Sequence, residues 1–217
     1  MARAQSRGRG RLGRAWESAS DEGLYFSLIQ RPGPPPVSPV ALTMLSGLAV
    51  YTAVRELGIQ AAKLDWPNDV VVDGAKLSGI LVESRGLDPN DPAYVVGIGL
   101  NVLQQQFSPE LSGERAVTSL ALLGASPGVE GAADAVLRNL SHRLDQLHEI
   151  SADLGAEYLE ATGLRGRTVR LTIGSKTEVG EVAELTVEAG LLLTAPDDTQ
   201  ARYALEHIRS LEALEPS

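Results

Sequence analysis

The sequence predicts an α+β chain: a mixed or antiparallel sheet packed with helices, followed by a small C-terminal β-barrel. Three observations predict it. Residues 63–84 hold two apolar runs about Asp73-Gly74, a dipeptide suited to the positive φ that both positions of a tight hairpin turn need. Segments opening at Ser38-Pro39 and Ser126-Pro127 carry apolar residues at helical spacing. Beyond Gly163-Leu164-Arg165-Gly166 the pattern changes to period two. That change divides the chain into a larger unit, residues 1–163, and a barrel, residues 164–217.

Taken in order, residues 1–16 alternate Arg and Gly, which reads as a loop rich in donors, with Trp16 as a packed anchor at its end. In isolation the same segment also reads as an arginine–glycine tail that touches RNA. Leu24 to Gln30 reads as a strand, and Arg31 to Pro36 as a stiff proline-rich connector. Ser38 is the N-cap and Pro39 the first residue of a helix running to about Leu57, closed by Gly58. Val70–Val72 and Leu77–Val82 form the hairpin. Pro89 to Pro92 is a polar turn, and Tyr94 to Val102 a buried strand. Gln104 to Ala116 is an irregular loop, and Thr118-Ser119-Leu120 opens a short element ending at Gly124. The second helix shows a stripe of Val136 or Leu137, Leu140, Leu144 and Leu147, with Arg138, Arg143, Asp145 and Glu149 off it. A third helix spans about Ala152 to Ala161. Short strands follow at 169–173, 180–187 and 191–194, with a last pair near 202–210. Some fifty residues of this kind fit an SH3-like barrel.

The totals narrow the chemistry. The chain has 217 residues, 43% of them hydrophobic, enough for a buried core and against a disordered chain. It has no cysteine, which excludes disulfides, thiolate zinc sites and a cysteine nucleophile, and fits a cytoplasmic protein. His142, His148 and His207 are too scattered for a histidine metal cluster. His142 and His148, six apart on one helix, read as solvated. No apolar run reaches the length of a membrane span, and no apolar h-region follows the first arginines. A net charge of −9 argues against general nucleic-acid binding. Yet Arg3, Arg7, Arg9, Arg11 and Arg14 precede the first acid, Glu17, so a cationic loop sits on an acidic body and suggests a local anion site.

The hairpin carries more polar chemistry than a hairpin needs. Trp66-Pro67-Asn68-Asp69 sets a kink, an amide and a carboxylate at its head, Lys76 follows the turn, and Gly79 leaves a strand position bare. Such a set suits a phosphate-bearing or acyl ligand with a divalent cation. A surface hairpin with solvated charges accounts for the same residues. Gly97 and Gly99 alternate along the later strand and strip one face of side chains, so something lies close against it. Asn101 at the end of that strand reads either as a ligand-binding amide or as a capping residue.

Together these motifs resemble the catalytic domain of biotin–protein ligases, within the class II aminoacyl-tRNA synthetase-like fold of the biotin/lipoate ligase superfamily. Gly8-Arg9-Gly10-Arg11-Leu12-Gly13-Arg14-Ala15-Trp16 looks like that family's arginine–glycine loop, and Trp66-Pro67-Asn68-Asp69 matches its Trp-Pro-Asn-Asp run. Lys76-Leu77-Ser78-Gly79-Ile80-Leu81-Val82-Glu83 is similar to its lysine strand, and Gly97-Ile98-Gly99-Leu100-Asn101 to its glycine strand. The order and gaps agree over nearly the whole chain. The resemblance implies an ATP-dependent ligase that makes biotinyl-AMP and passes biotin to a lysine of a biotin carboxyl carrier domain. Lys76 and Arg11 would be catalytic. Gln5, Gly8, Arg9, Gly10, Arg11, Lys76, Gly79 and Leu81 would line the biotin site, with Gly79 leaving room for biotin. Arg9, Arg14, Trp16, Asn68, Asp69, Lys76 and Asn101 would meet ATP, and Asp69 would hold Mg²⁺. Relatives commonly pair as homodimers through the sheet. Partners of other kinds, membrane or nucleic acid, are not expected.

Two departures stand out. The family carries an upstream segment that grips the biotin ring, which implies a start codon set too late or a fragment. The family usually has lysine just before Trp-Pro-Asn-Asp, where this chain has Asp65; Lys63, on the same strand face, is the expected counter-charge. The competing readings are a lipoate or octanoyl ligase or transferase of the same superfamily, an inactive remnant, and a nucleic-acid-binding module built on the arginine–glycine start.

Overall fold

The computed structural model describes residues 1–33, 37–85, 93–108, 115–145, 147 and 152–214. Pro34–Pro36, the expected turn at Pro89–Pro92, residues 109–114 of the expected loop, and His148 and Glu149 lie outside the described residues.

The chain opens with a two-stranded ribbon, β1 (Gly8–Arg9) and β2 (Ala15–Trp16), joined by a short 3-10 turn at Arg11–Gly13. Five strands then build the main sheet: β3 (Gly23–Gln30), β4 (Ala62–Asp65), β5 (Asp69–Val72), β6 (Ala75–Arg85) and β7 (Ala93–Asn101). They lie in the order β3-β7-β6-β5-β4 and every neighbouring pair is antiparallel. The expected antiparallel sheet is thus present. The hairpin turn forms as the dipeptide demands, with φ of 49° at Asp73 and 78° at Gly74.

Helix α1 (Pro39–Glu56) packs on this sheet. Ser38 Oγ accepts from Ala41 N at 3.1 Å, Pro39 is the first helical residue, and Gly58 (φ +100°) follows the C-cap. The helix is apolar nearly all round, so it is buried between the sheet and α2 (Gly128–Asp145) and not laid on the surface. On α2 the choice left by the sequence is settled: Val136 is buried and Leu137 is 46% exposed, while His142 is exposed. Helix α3 (Ala152–Thr162) touches α1, β4 and the C-terminal strands. Gly155 makes that contact possible, because a side chain there would strike the backbone of Leu185.

The C-terminal strands are β8 (Thr168–Ile173), β9 (Lys176–Thr186), β10 (Gly190–Thr194), β11 (Gln200–Tyr203) and β12 (Ile208–Ala213). The second of them begins earlier than expected, because its first four residues are exposed, three of them polar, and show no period-two signal. Among the described residues these strands form an antiparallel sheet ordered β11-β10-β9-β8-β12 whose outer strands do not pair, so the expected closed barrel is not formed. Alternation fixes which face of a strand is buried, but not whether the two edges of a sheet meet. The buried face (Val169, Leu171, Val182, Leu191, Ile208, Leu211) joins one continuous core with the main sheet. Trp66 spans the junction: it is buried, meets Tyr158 edge-on at 5.9 Å, and donates from Nε1 to Ile208 O at 3.1 Å.

Candidate active site

A cleft of about 1410 Å³ lies over the face of the main sheet opposite α1, between the β1–β2 ribbon and the C-terminal strands. Its floor is made by β5, β6 and β7, and its lysine is aimed by a β-bulge. The pairing of β5 with β6 shifts register between Val70–Ser78 and Val71–Lys76. The extra residue breaks strict alternation, so Lys76 and Gly79, three apart, share the cleft face while Leu77 and Ile80 share the core face.

Gly79 and Gly99 sit side by side in neighbouring strands. The group that lies against this bare patch is the Trp16 indole: a Cβ at position 99 would stand 2.5 Å from Trp16 Cε2 and 2.6 Å from Cζ2. At position 79 it would meet Trp16 Cζ3 at 3.1 Å and Lys76 Nζ at 3.2 Å. The room expected for biotin at Gly79 is therefore filled here by the indole and the lysine stem. Trp16 is the anchor the sequence predicts, and its Nε1 is buried without a hydrogen-bond partner among the described residues. Lys76 Nζ lies 5.4 Å from the ring centroid, a cation–π distance.

Replacing Gly99 with alanine is expected to force the indole off the strand, at the roughly 1–3 kcal/mol typical of overpacking. The ribbon then detaches, and trypsin should cut after Arg9, Arg11 or Arg14 about tenfold faster than in the parent. Equal cutting rates would show that the ribbon is held by something other than this contact.

Around the lysine the charges form a chain. Lys76 Nζ stands 2.8 Å from Asp69 Oδ1, a charge-assisted ion-pair distance, with side chains only 24% and 10% exposed. Arg115 Nη1 donates to Asp69 Oδ2 at 2.7 Å and its Nη2 to Asp65 Oδ2 at 2.6 Å. The counter-charge of Asp65 is thus Arg115, and not Lys63 as expected: Lys63 is exposed and its Nζ lies near Gly163. Sequence distance explains the miss, since Arg115 arrives from a loop fifty residues away. Burial pushes the Asp65 carboxyl up against the pull of Arg115.

The remaining predicted residues distribute along the cleft. Arg9 Nη2 donates to Glu83 Oε2 at 3.1 Å, and Arg11 Nη1 donates to Asn68 Oδ1 at 3.4 Å, so the ribbon is tied to the hairpin at two points. Burial lowers the Arg11 guanidinium, opposed by the nearby Asp69 charge. Asn68 Nδ2 donates to Ile80 O at 2.7 Å, which orients its amide. Gly8 pairs with Trp16, Gly10 N donates to Arg14 O at 2.8 Å, and Arg14 and Leu81 line the cleft. Gln5 also lines the cleft and accepts from Ser18 Oγ at 3.0 Å. Asn101 reaches the wall but uses its amide inside the fold, donating to Thr118 O at 2.9 Å and accepting from Gln104 at 3.5 Å.

Arg115 and Tyr158 escape the sequence reading. Tyr158 donates to Pro67 O at 3.1 Å and is fully buried, which raises its hydroxyl pKa far above the ordinary value. For Arg115 the one available signal is Asp65 itself, a half-buried carboxylate in need of a cation.

Comparison with known proteins gives a consistent picture. The model of the biotin/lipoate A/B protein ligase family matches residues 1–102. The chain is 36% identical to the biotin–[acetyl-CoA-carboxylase] ligase of Mycobacterium tuberculosis over 183 residues, 82% of this chain and 63% of that protein. It is 37% identical over 113 residues to the bifunctional ligase/repressor BirA of Bacillus subtilis, 51% of this chain and 35% of that protein. The chain thus spans less than two thirds of these relatives. Among solved structures, the biotin protein ligase of Aquifex aeolicus in complex with biotin and ATP superimposes with a TM-score of 0.79 at 28% identity, covering 98% of this chain and 87% of that one.

Proposed function

We propose that the chain is a ligase of the biotin/lipoate A/B protein ligase family, whose model matches residues 1–102, and that it activates biotin with ATP and transfers it to a lysine of a biotin carboxyl carrier protein. One observation carries the reading: Lys76 is held at the centre of a cleft with a bare glycine floor, under a ribbon that supplies Arg9, Arg11 and Arg14.

A carboxylate oxygen of biotin attacks the α-phosphorus of ATP, the bond from that phosphorus to the bridging oxygen breaks, and pyrophosphate leaves. Two anions must meet, so the barrier is mostly electrostatic, and cations fixed beforehand lower it without reorganising. Lys76 stands between the reacting oxygens, and Arg11 shares the developing charge. Gln5, Gly8, Arg9, Gly10, Gly79 and Leu81 border the biotin side. Arg14, Trp16, Asn68, Asp69 and Asn101 border the nucleotide. Trp16 leaves the glycine floor as the ligand enters, and the ribbon closes over the mixed anhydride and keeps water out. The carrier lysine amine then attacks the acyl carbon, AMP departs with the bonding pair, and the amine loses a proton.

Asp69 supplies a carboxylate of the kind Mg²⁺ uses beside nucleotide phosphates, and would exchange its contact with Lys76 for the ion. The ion would neutralise phosphate charge. Residues 164–217 serve as an SH3-like module that docks against the first 163 residues and borders the cleft through Glu206 to Glu212, where the carrier approaches. Two copies of the chain pair through the edge strand β3.

The test is exchange of radiolabelled pyrophosphate into ATP, driven by biotin, followed by transfer to a biotin carboxyl carrier domain. Biotin is expected to drive exchange, with lipoate and octanoate inert. Exchange driven by lipoate or octanoate instead would move the chain to the other branch of its family.

A further inference from the structure

Asp65 and Asp69 stand directly opposite each other in β4 and β5. Like charges placed so are destabilising in a sheet, and partial burial sharpens the cost. Arg115 offsets it by donating one N–H to each carboxylate, at 2.6 and 2.7 Å. The neighbouring backbone is fixed, since Lys76 N donates to Ala116 O at 2.8 Å and Thr118 N donates to Lys76 O at 2.9 Å. These bonds use two of the five donors of the guanidinium. Its side chain remains 35% exposed on the cleft wall. A planar fork held on one side, with donors left over, is suited to phosphate oxygens. Asp69 is shared between Lys76 and Arg115, so Arg115 lies one ion pair beyond the lysine along β5 and β4. With Lys76 at the α-phosphate, the phosphates beyond it fall there.

We propose that Arg115 binds the terminal phosphates of the nucleotide, and that Asp65 is a positioning residue that holds its guanidinium at the cleft wall. The inference rests on the ATP-dependent reading above. A purely structural Arg115, needed only to quench two carboxylates, is the alternative.

The experiment is calorimetric titration of the full chain with inorganic pyrophosphate, ATP and AMP at fixed Mg²⁺. Arg115→Gln is expected to weaken pyrophosphate and ATP by about 10- to 100-fold, the loss typical of a charge-assisted contact, and to leave AMP within about twofold. Adding Asp65→Lys to that variant restores a cation opposite Asp69 and should recover most of the lost affinity. Equal weakening of AMP, no weakening at all, a double variant as weak as the single one, or a parent that binds neither pyrophosphate nor ATP would each overturn the proposal. Pyrophosphate binding that depends on Arg115, in a chain without biotin-driven exchange, would sink the ligase reading alone. Biotin-driven exchange with pyrophosphate binding indifferent to Arg115 would sink only the role of Arg115.

Discussion

On the proposed ligase reading, Lys76→Met is expected to lower biotin-driven pyrophosphate exchange by about 10²- to 10³-fold, the loss seen when one preorganised charge-stabilising donor is removed. The methionine keeps the length and most of the volume of the stem, which packs between Gly79 and the indole, so the cleft keeps its shape. What disappears is a cation 2.8 Å from Asp69 in a site mostly closed to water. In such a setting a fixed charge acts far more strongly than at the surface. The loss belongs in kcat, because charge accumulates between the carboxylate and the phosphate only as they react. A loss confined to KM, with kcat intact, would reduce Lys76 to a binding residue and move the catalytic role to Arg11.

Trp66→Ala unfolds the protein more readily by about 3–5 kcal/mol, the range for deleting a buried aromatic ring. In a chain of this size that lowers Tm by on the order of 10 °C. The ring packs on Tyr158 and its N–H satisfies Ile208 O across the junction with the C-terminal strands. Trp66→Phe separates the two contributions. It keeps most of the packing but leaves a buried carbonyl without its donor, a loss of about 1–3 kcal/mol. Thermal unfolding of both variants checks the partition. Equal Tm values for parent and Trp66→Ala would mean that the junction is held elsewhere, for example by α3 against β9. Trp66 thus belongs to a motif that reads as chemistry but serves here to seat two parts of the chain together, while its neighbours Asn68 and Asp69 face the cleft.

Local rules made several features legible. Ser38 and Pro39 start α1 and Gly58 ends it because the cap needs an acceptor, a fixed φ and then a positive φ. Asp73-Gly74 turns the hairpin for the same kind of reason. The alternation of Gly97 and Gly99 announced a close neighbour, and Trp16, marked as an anchor, is that neighbour. The stripe on α2 left Val136 and Leu137 open, since one residue shifts a helical stripe by only about 100°; packing against α1 decided it.

What the sequence by itself determined is what adjacent residues impose on one another: caps, turns, strand faces, and the motif order of Lys76, Asp69 and the arginine ribbon that carries the family resemblance. What only the tertiary structure decided depends on segments far apart in the chain. The bulge that puts Lys76 beside Gly79 arises from the pairing of β5 with β6. The union of Asp65, Arg115 and Asp69 joins two strands to a distant loop. The open edges of the C-terminal sheet follow from which strands pair, since among the described residues β11 and β12 do not. Charge balance in a buried site is satisfied by proximity in space, and composition along the chain carries no record of which distant cation will meet which carboxylate.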